Sequence, residues 1–398
     1  MKRLIDEHIR VITENCIDCI SLEELRYKLE TSLKENTPLR VKVGFDPTAR
    51  DIHLGHTVLL RKLRKIQDIG HNVYFIIGDF TAQIGDPSGR SELRPILTKE
   101  EIESNAKTYT EQAFKILDRE RTKIVFNSEW YKSMLASQLL SLFSHYTVAR
   151  MLERDDFSQR LKNNKPLSIQ EFIYPLIQGY DSVMINADIE FGGTDQKFNL
   201  IVGRHLQESF HQSPQVVITM PLLTGLDGIN KMSKSLGNYV GITESSKDMF
   251  GKIMSLPDDL MWDYFRLLTD LDVEEVKKNH PKEAKLLLAE SIVGFYYSQD
   301  VARKEKEEFE KVFSKRQIPQ NIPNYVSNEK EVDIIEVLYK MKLIPSKNDG
   351  RRLLQQKGIS YDDVPLTSPL FDIPPQGAIL KIGKRRFLKL LFNSDNLC

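Results

Sequence analysis

The sequence predicts an α/β protein with a Rossmann-like domain built on a doubly wound parallel sheet, followed by an all-helical domain and a small α+β domain. Three observations support this fold class. Strand and helix patterns alternate from about residue 38 to 240, helical periodicity alone continues to about 314, and two helices precede an alternating apolar run after about 330. Alternating strands and helices are typical of a parallel sheet covered on both faces.

The strands of the first domain are predicted from short apolar runs, rich in β-branched residues, that end at glycine, proline or polar residues. They fall at 40–45, 73–78, 122–126, 188–191 and 215–220. Amphipathic helical patterns lie between them, so these strands should run parallel. Ligands of such sheets bind at the carboxyl ends of the strands, where a functional site is therefore expected.

Domain boundaries are predicted where the patterns change. The expected divisions are 1–243, 244–316, a linker at 317–329, and 330–398. The linker stretch contains two prolines, Pro319 and Pro323, and lacks periodicity. The last domain should contain an amphipathic helix at 332–341, a second helix capped by Ser346, and a hairpin at 378–388.

Composition describes a globular protein without an overall charge bias. Of 398 residues, 40% are apolar and 28% charged, and 56 basic residues balance 56 acidic ones, so net charge gives no indication of a nucleic-acid partner. Basic residues do cluster near the C-terminus, which is a local electrostatic footprint. They are Lys381, Lys384, Arg385, Arg386 and Lys389.

Two further features bear on compartment and metal binding. No apolar run approaches the roughly 20 residues that span a bilayer, and the charged start lacks an apolar signal core, so we expect a cytoplasmic protein without a membrane partner. Cys16 and Cys19 form a Cys-x-x-Cys pair in a stretch that looks helical. Because no second cysteine pair or nearby histidine accompanies them, we expect helix-face residues and assign no metal ligand.

The first chemical motif is His53-Leu54-Gly55-His56, which follows the predicted strand ending in Gly44-Phe45-Asp46-Pro47-Thr48. The apolar spacing after it predicts a helix, so both histidines lie in a first helical turn. Free backbone N–H groups and the helix dipole favour phosphate there, and Gly55 lets a flat adenine approach. Taken alone, the motif fits two surface histidines at a helix cap equally well.

The second motif is Lys231-Met232-Ser233-Lys234-Ser235, in a loop after the predicted strand at 215–220. Two ammonium groups on a mobile loop suit a triphosphate whose charge grows on the leaving pyrophosphate. The alternative is a solvated lysine loop. Both motifs in this order, each beside a strand end, indicate an enzyme that activates a carboxylate with ATP.

Tyr174, Gln178 and Asp181 recur at i, i+4 and i+7, so one helix face presents a ring, an amide and a carboxylate to a single pocket. The alternative is a helix packed on the sheet. A buried aspartate without a partner would be costly, which favours a binding site. In the last domain, Arg351 and Arg352 on a helix and a basic hairpin turn suit folded RNA, the alternative being a solvated basic tail.

These motifs together resemble those of the bacterial tyrosyl-tRNA synthetases, which are class I enzymes, and the resemblance covers essentially the whole chain. Its most specific parts are the two motifs, the segment 44–48, Gly85-Asp86-Pro87-Ser88-Gly89, the segment 174–181 and Gly192-Gly193-Thr194-Asp195-Gln196. The resemblance implies two steps: tyrosine reacts with MgATP to give tyrosyl-adenylate, and a terminal ribose hydroxyl of tRNA then displaces AMP. It implies no tightly bound cofactor and no covalent nucleophile.

The resemblance also implies roles for individual residues. The catalytic set is Thr48, His53, His56, Lys231 and Lys234. ATP would be bound by Gly44, Asp46, Gly55, Arg90, Arg94, Gly193, Asp195, Met232 and Ser233. Tyrosine would be bound by Asp86, Tyr174, Gln178, Asp181 and Gln196, with Asp181 accepting the phenolic hydrogen bond. RNA would be bound by Arg351, Arg352, Lys384, Arg385 and Arg386.

One position departs from the family pattern, and two expectations remain at the level of the family. Many relatives have a tyrosine two residues before Gly44 that shares the phenol hydrogen bond, but this chain has Lys42, so the second partner of the phenol is open. Family members are symmetric homodimers, and the stretch 144–164 could supply the interface through apolar residues, the alternative being an ordinary core helix. These are Tyr146, Val148, Met151, Leu152 and Phe157.

Two rival functions differ from this one. The tryptophan-specific sibling shares the sheet, but the face formed by Tyr174, Gln178 and Asp181 suits a phenol. A synthetase-derived RNA binder without catalysis would act through 330–398, but the intact motifs argue against it.

Overall fold

The computed structural model describes residues 1–48, 50–88, 97–314, 322–361, 364–383 and 386–392. The chain divides into two compact units, Met1–Glu305 and Lys306–Cys398.

Six strands of the described residues form the sheet of the first unit. They are β1 (Asp18–Ile20), β2 (Arg40–Phe45), β3 (Asn72–Ile77), β4 (Thr122–Phe126), β5 (Ile189–Gly193) and β6 (Val216–Met220). The order across the sheet is β1-β6-β5-β2-β3-β4, and β2 to β6 pair in parallel. The chain turns from one half of the sheet to the other between β2 and β5, and the crevice at their carboxyl ends is where a doubly wound sheet binds its ligand. The predicted fold class is confirmed, and all five predicted strands are present.

We expected a helix around the cysteine pair, but the described residues form none there. Cys19 lies in β1, which pairs antiparallel with β6 at the sheet edge through Asp18 opposite Thr219, and Cys16 precedes that strand. A three-residue strand has no periodicity of its own, because the pairing with β6 determines it. Both thiols are free, and burial raises the pKa of Cys19 to about 11, so that thiol stays protonated at neutral pH.

Helices cover the sheet and extend the first unit beyond it. They are α1 (Lys2–Thr13), α2 (Leu22–Glu35), α3 (Leu54–Asp68), α4 (Thr81–Ile84), α5 (Lys99–Ala113), α6 (Ser128–Tyr131), α7 (Ala136–Ser144), α8 (Val148–Met151), α9 (Asp155–Lys162), α10 (Ile169–Ile185), a 3-10 helix (Thr194–Gln196), α11 (Lys197–Ser209), α12 (Ser246–Met254), α13 (Met261–Leu268), α14 (Val273–Val276), α15 (Pro281–Tyr296) and α16 (Gln299–Ser314). None of the described helices is long and apolar enough to cross a bilayer.

Close packing of α10 against α11 fixes the helix that carries the predicted tyrosine-binding face. A Cβ on Gly179 of α10 would lie 2.9 Å from the backbone nitrogen of Gly203 on α11, so a side chain at Gly179 would force the helices apart. Tyr174 and Asp181 are buried on α10. The glycine at this contact therefore determines how closely α10 packs against α11.

The helices after residue 244 pack on the α/β part within the same compact unit. The Tyr264 hydroxyl on α13 donates to the Thr224 carbonyl at 2.7 Å, and Arg61 on α3 pairs with Asp270 at 2.7 Å. No strand occurs among the described residues from 244 to 314, in agreement with the helical pattern.

In its described part, the second unit contains the C-terminal part of α16, which crosses the boundary between the units, followed by two sheets and two further helices. Its elements are β7 (Asn324–Ser327), β8 (Glu331–Asp333), α17 (Ile334–Lys340), α18 (Lys347–Gln355), β9 (Ile359–Tyr361), β10 (Val364–Pro365), β11 (Leu370–Asp372), β12 (Ala378–Ile382) and β13 (Arg386–Phe392). The strand orders are β10-β9-β12-β13-β7 and β11-β8. Buried apolar residues of α17, β12 and β13 form its core, including Ile334, Leu338, Leu380, Leu388 and Leu390.

Two expectations for this unit have different outcomes. The predicted hairpin is present as β12 and β13, with Ala378 opposite Leu390, and the Ser346 side chain caps α18. The linker expected over 317–329 is wrong in its second half, because Asn324–Ser327 form β7 and pair in parallel with β13. Residues 317–321 lie outside the described part. Like β1, β7 is a strand because it pairs with a strand distant in the sequence. The local sequence pattern therefore does not predict it.

Candidate active site

A cavity of about 510 Å³ opens at the carboxyl ends of β2 and β5. The ATP and tyrosine residues predicted from the sequence line it wherever the structure describes them. They are Gly44, Asp46, Thr48, His53, Gly55, His56, Asp86, Tyr174, Gln178, Asp181, Gly193, Asp195, Gln196, Lys231, Met232, Ser233 and Lys234. Arg90 and Arg94 lie outside the described residues. Segments from distant parts of the sequence thus meet in one cleft.

The two histidines lie at the start of α3, as expected. Their rings stack with centroids 3.8 Å apart, and the His53 backbone N–H donates to His56 Nδ1 at 3.2 Å. His53 Nδ1 is buried and has no hydrogen-bond partner among the described residues. Such a buried nitrogen is costly unless a ligand supplies the missing bond.

Burial keeps both imidazoles neutral. It lowers the pKa of His53 to about 3, with Lys234 adding to the effect. The pKa of His56 also lies well below its usual value, because of burial and the proximity of His53 and Lys234. At neutral pH these rings can exchange hydrogen bonds with a phosphate, but the positive charge must come from elsewhere.

The lysine loop supplies that charge and touches the histidine motif directly. The Gly55 N–H donates to Met232 Sδ at 3.3 Å. A Cβ on Gly55 would lie 3.0 Å from the His53 ring and 3.4 Å from Met232 Cβ. The absence of a side chain at Gly55 therefore allows the two motifs to approach.

Both loop lysines pair with oxygens at the rim of the cavity. Lys231 forms a 2.7 Å ion pair with Asp195, and the Lys234 ammonium donates to the Asp51 carbonyl. Partial burial lowers the pKa of Lys234 to about 8, so most of it is charged at neutral pH. A partly exposed pair such as Lys231 with Asp195 contributes only about 0.2–1 kcal/mol, so an incoming phosphate can displace it.

Asn238 holds the loop in place, a role that sequence reasoning did not identify. Its Oδ1 accepts the Ser233 N–H at 2.8 Å, and its Nδ2 donates to Asp227 Oδ2 at 3.0 Å. The glycine and asparagine residues around the motif indicated a loop, but the partner of Asn238 depends on the folded chain.

Asp181 is buried at the floor of the cavity and already accepts two hydrogen bonds. Trp130 Nε1 donates to its Oδ1 at 3.1 Å, and Asn127 Nδ2 donates to its Oδ2 at 3.3 Å. Burial raises the pKa of Asp181 to about 7, while Lys42 and these two donors act in the opposite direction. Asn127 and Trp130 follow β4, so the rule that strand ends carry the site could have indicated them.

The remaining tyrosine-binding candidates form two hydrogen-bonded pairs. The Tyr174 hydroxyl donates to Asp46 Oδ2 at 2.9 Å. Gln196 Nε2 donates to Asp86 Oδ2 at 2.8 Å. Asn199, which the sequence did not single out, donates to Gln178 Oε1 at 2.9 Å and so fixes that amide. These hydrogen bonds fix the orientation of several polar groups in the lining of the cavity.

The candidate RNA-binding residues of the second unit are only partly described. Arg351 and Arg352 are exposed on α18, where they donate to Asn348 and Asp349 at 2.9 and 2.8 Å. Arg386 is exposed at the start of β13. Lys384 and Arg385 lie outside the described residues.

The exposed fractions of the side chains show which of the proposed interface residues are available to a partner. Met151 and Phe157 are 3% and 0% exposed within their own chain, so for these two residues the core alternative is correct and they do not supply an interface. Val148 is 66% exposed. Periodicity alone marked these residues as one apolar set, because it does not show which neighbour covers each side chain.

No group of three or more histidine, cysteine, aspartate or glutamate side chains that could hold a metal ion occurs in the described part of the chain.

The fold and the cleft define a class of protein. A doubly wound sheet whose crevice gathers neutral imidazoles, a lysine loop and a buried acceptor is the arrangement of an enzyme that activates a small carboxylate with a nucleotide. Residues 34–314 match the family model for class I tRNA synthetases of tryptophan and tyrosine.

The curated relatives identify which synthetases of this class the chain resembles. A tyrosine–tRNA ligase of Aquifex aeolicus is 53% identical over 97% of this chain and 99% of that protein. Those of Desulfotalea psychrophila and Thermotoga maritima are 50% and 48% identical over 98% and 97% of this chain, and over 98% and 97% of their own lengths. The chain therefore belongs to the class I tRNA synthetase family, among its tyrosine–tRNA ligases.

A solved structure agrees with this assignment. The tyrosyl-tRNA synthetase of Archaeoglobus fulgidus, determined in complex with L-tyrosine, has a TM-score of 0.62 and 26% identity, covering 76% of this chain and 99% of that one. The resemblance predicted from the sequence motifs is confirmed.

Proposed function

We propose that this chain performs the tyrosine–tRNA ligase reaction of its family in the cavity at the ends of β2 and β5. The tyrosine carboxylate oxygen bonds to the α-phosphorus of ATP as the bond to pyrophosphate breaks. A ribose hydroxyl at the 3′ end of tRNA then attacks the tyrosyl carbonyl, and AMP leaves. The meeting of the histidine turn, the lysine loop and the α10 face in one cleft supports this proposal most strongly.

The triphosphate would lie between the histidine turn and the lysine loop. His53 and His56 are neutral, so they would hydrogen-bond phosphate oxygens, together with the Thr48 hydroxyl. Lys234 and Lys231 would balance the charge that develops on the leaving pyrophosphate, with Lys231 exchanging Asp195 for a phosphate oxygen. Removing one such donor typically costs about 10²–10³ in turnover.

The nucleoside and the metal complete this part of the site. Gly44, Gly55 and Gly193 leave room for a base and a ribose against the backbone, and Asp195 would hydrogen-bond the ribose once Lys231 leaves. Mg²⁺ would arrive with ATP as part of the substrate, because phosphate oxygens and water are the ligands that it prefers.

Tyrosine would lie along α10 with its phenol on Asp181. The side chains of Tyr174, Gln178, Asp86 and Gln196 would surround its ammonium group. Phenylalanine would leave the buried Asp181 without its third hydrogen bond. A site built in this way rejects the analogue without the hydroxyl by about 10⁴–10⁵, and enzymes of this family are themselves the reference case for that range.

The remaining assignments concern the parts outside the cavity. Residues 1–243 would form the catalytic domain, 244–316 the helical part that binds the anticodon, and the residues from β7 to 398 a small RNA-binding domain after a linker that ends before β7. Arg351, Arg352, Lys384, Arg385 and Arg386 would contact the tRNA backbone. Because its substrate is tRNA, we place the protein in the cytoplasm.

A symmetric homodimer is proposed from an apolar surface on the helices between β4 and β5. Leu140 and Val148 are 68% and 66% exposed, and Leu161 and Ile169 are also exposed. Exposed large apolar side chains that recur within one stretch of the chain are typical of a surface that another protein covers.

Tyrosine-dependent exchange of pyrophosphate into ATP tests the proposed reaction. We expect exchange with tyrosine and none above background with tryptophan or phenylalanine. His53→Ala should lower the rate by about 10²–10³ with little change in KM for tyrosine. Lys247→Ala, which removes an exposed lysine outside the cavity, is the matched control and should retain the parent rate. Exchange driven by tryptophan alone would contradict the assignment.

A further inference from the structure

Lys42, the residue that departs from the family pattern, is a fully buried ammonium with a partner for each of its three N–H groups. It donates to Glu190 Oε1 at 2.7 Å, to Ser182 Oγ at 2.7 Å and to the Gln178 carbonyl at 3.1 Å. Its side chain is therefore held between β2, β5 and α10.

Two of those partners bracket Asp181 on α10. Gln178 lies three residues before Asp181, and Ser182 follows it directly. The Ser182 hydroxyl also donates to Glu190 Oε2 at 3.0 Å, which joins the helix turn to β5 through the same cluster. Any rotation of the turn that carries Asp181 would break at least one of these bonds.

Stability alone is a weak reason for this buried ion pair. Desolvating two charges costs several kcal/mol each, and apolar replacements of buried pairs are often neutral or stabilising. A buried lysine facing the helix that carries a binding carboxylate therefore requires a second explanation.

Charge near Asp181 supplies that explanation. The titratable groups that face Asp181 are Lys42 from β2, Glu190 from β5 and Tyr131 from α6. Lys42 is the strongest influence that lowers the pKa of Asp181 against the effect of burial, whereas Glu190 raises it more weakly. The net effect of the Lys42–Glu190 pair is to favour the ionised carboxylate.

We propose that Lys42 is a positioning residue for tyrosine specificity, which fixes the α10 turn carrying Asp181 and favours the carboxylate form of this acceptor for the substrate phenol. The inference rests on the proposed role of Asp181. An ionised acceptor forms a shorter and stronger hydrogen bond with a phenol than a neutral one. Lys42 thus contributes to phenol recognition from beneath the site without touching the substrate.

The test uses a double variant that removes the pair without leaving one buried charge unpaired, Lys42→Met with Glu190→Gln. Pyrophosphate exchange is measured from about pH 6 to about pH 9, and kcat/KM for tyrosine reports the groups of the free enzyme. In the parent enzyme, kcat/KM for tyrosine should rise with pH through a midpoint near pH 7, which is the pKa of Asp181. In the double variant the midpoint should move to higher pH. Both charges are removed, and Lys42 lowers the pKa of Asp181 more strongly than Glu190 raises it.

At about pH 7 the double variant should therefore show a roughly fivefold lower kcat/KM for tyrosine, while kcat and KM for ATP stay within about twofold. Glu190→Gln alone should move the midpoint the opposite way, to lower pH. Lys62→Met is the matched control: it removes another buried lysine, paired with Glu14 at 3.8 Å, and should lower stability without moving the midpoint.

Asp181→Asn separates the two proposals. If it raises KM for tyrosine and abolishes discrimination against phenylalanine while the double variant and Glu190→Gln both keep the parent midpoint, the role of Lys42 is overturned. If Asp181→Asn leaves both quantities unchanged, the proposed phenol site itself is wrong. Should the double variant fail to fold, Glu190→Gln decides alone: a midpoint shifted to lower pH supports the inference, and an unchanged or higher midpoint contradicts it.

Discussion

Replacing Lys234 by methionine should remove much of the charge that stabilises the leaving pyrophosphate. The Lys234 ammonium is half-buried at the cavity rim. At an effective dielectric constant near 20, a unit charge about 4 Å away interacts by roughly 4 kcal/mol. That upper value corresponds to about 10³ in rate, and mutational losses of single donors of about 10²–10³ fall in the same range. KM for tyrosine should change little, because α10 binds the amino acid.

The pH dependence gives a second, independent readout of Lys234. Burial lowers its pKa to about 8, so the charged form is lost as pH rises through about 8. The value of kcat/KM for ATP, which reports the free enzyme, should therefore decline above that pH in the parent. Lys234→Arg keeps its charge at every accessible pH, so this decline should disappear in that variant.

Pyrophosphate exchange at saturating tyrosine is the assay for both Lys234 variants, with Lys247→Met as the control for loss of a lysine elsewhere. A parent-like kcat in Lys234→Met would refute the electrostatic role. Persistence of the decline above pH 8 in Lys234→Arg would show that another group titrates there.

Four further substitutions follow from particular contacts. Gly55→Ala places a methyl 3.0 Å from the His53 ring, so turnover should fall at least tenfold in exchange assays. Gly44→Ala meets nothing within 4 Å, so thermal unfolding should be unchanged while KM for ATP rises as the methyl enters the nucleotide cavity. Trp130→Phe removes a donor to a buried carboxylate, worth about 1.5–3 kcal/mol, and should weaken tyrosine binding at least tenfold by calorimetry. Val148→Asp puts a charge on the apolar surface and should reduce the mass by light scattering from twice 46.0 kDa to that value; an unchanged mass would exclude Val148 from the interface.

The parts of the fold that the sequence predicts are those with a local cause. β2 to β6 are apolar runs ended by glycine or polar residues, and the helices between them have regular periodicity, so both appear in any window of the chain. β1 and β7 have only three and four residues, and each exists because a distant strand pairs with it. No local pattern distinguishes such segments from a helix end or a linker.

The residues of the site also divide into those that local sequence predicts and those that depend on the folded chain. The residue types at strand ends indicate the histidine turn, the lysine loop and the α10 face, because that chemistry requires those side chains at that edge. The protonation of the histidines was not accessible, since it depends on burial by the folded chain. The partners of Asp181 and the position of Lys42 also arise from tertiary packing, which brings β4, β2 and α10 together.

A structure with a non-hydrolysable tyrosyl-adenylate analogue would test most directly whether the motifs act on one ligand. We predict the phenol oxygen within about 2.7–3.2 Å of Asp181 and the phosphate within the same range of His53, His56 or a lysine of the 231–235 loop. An analogue whose phosphate lies away from both motifs, or whose phenol points out of the cleft between α10 and β2, would contradict the account.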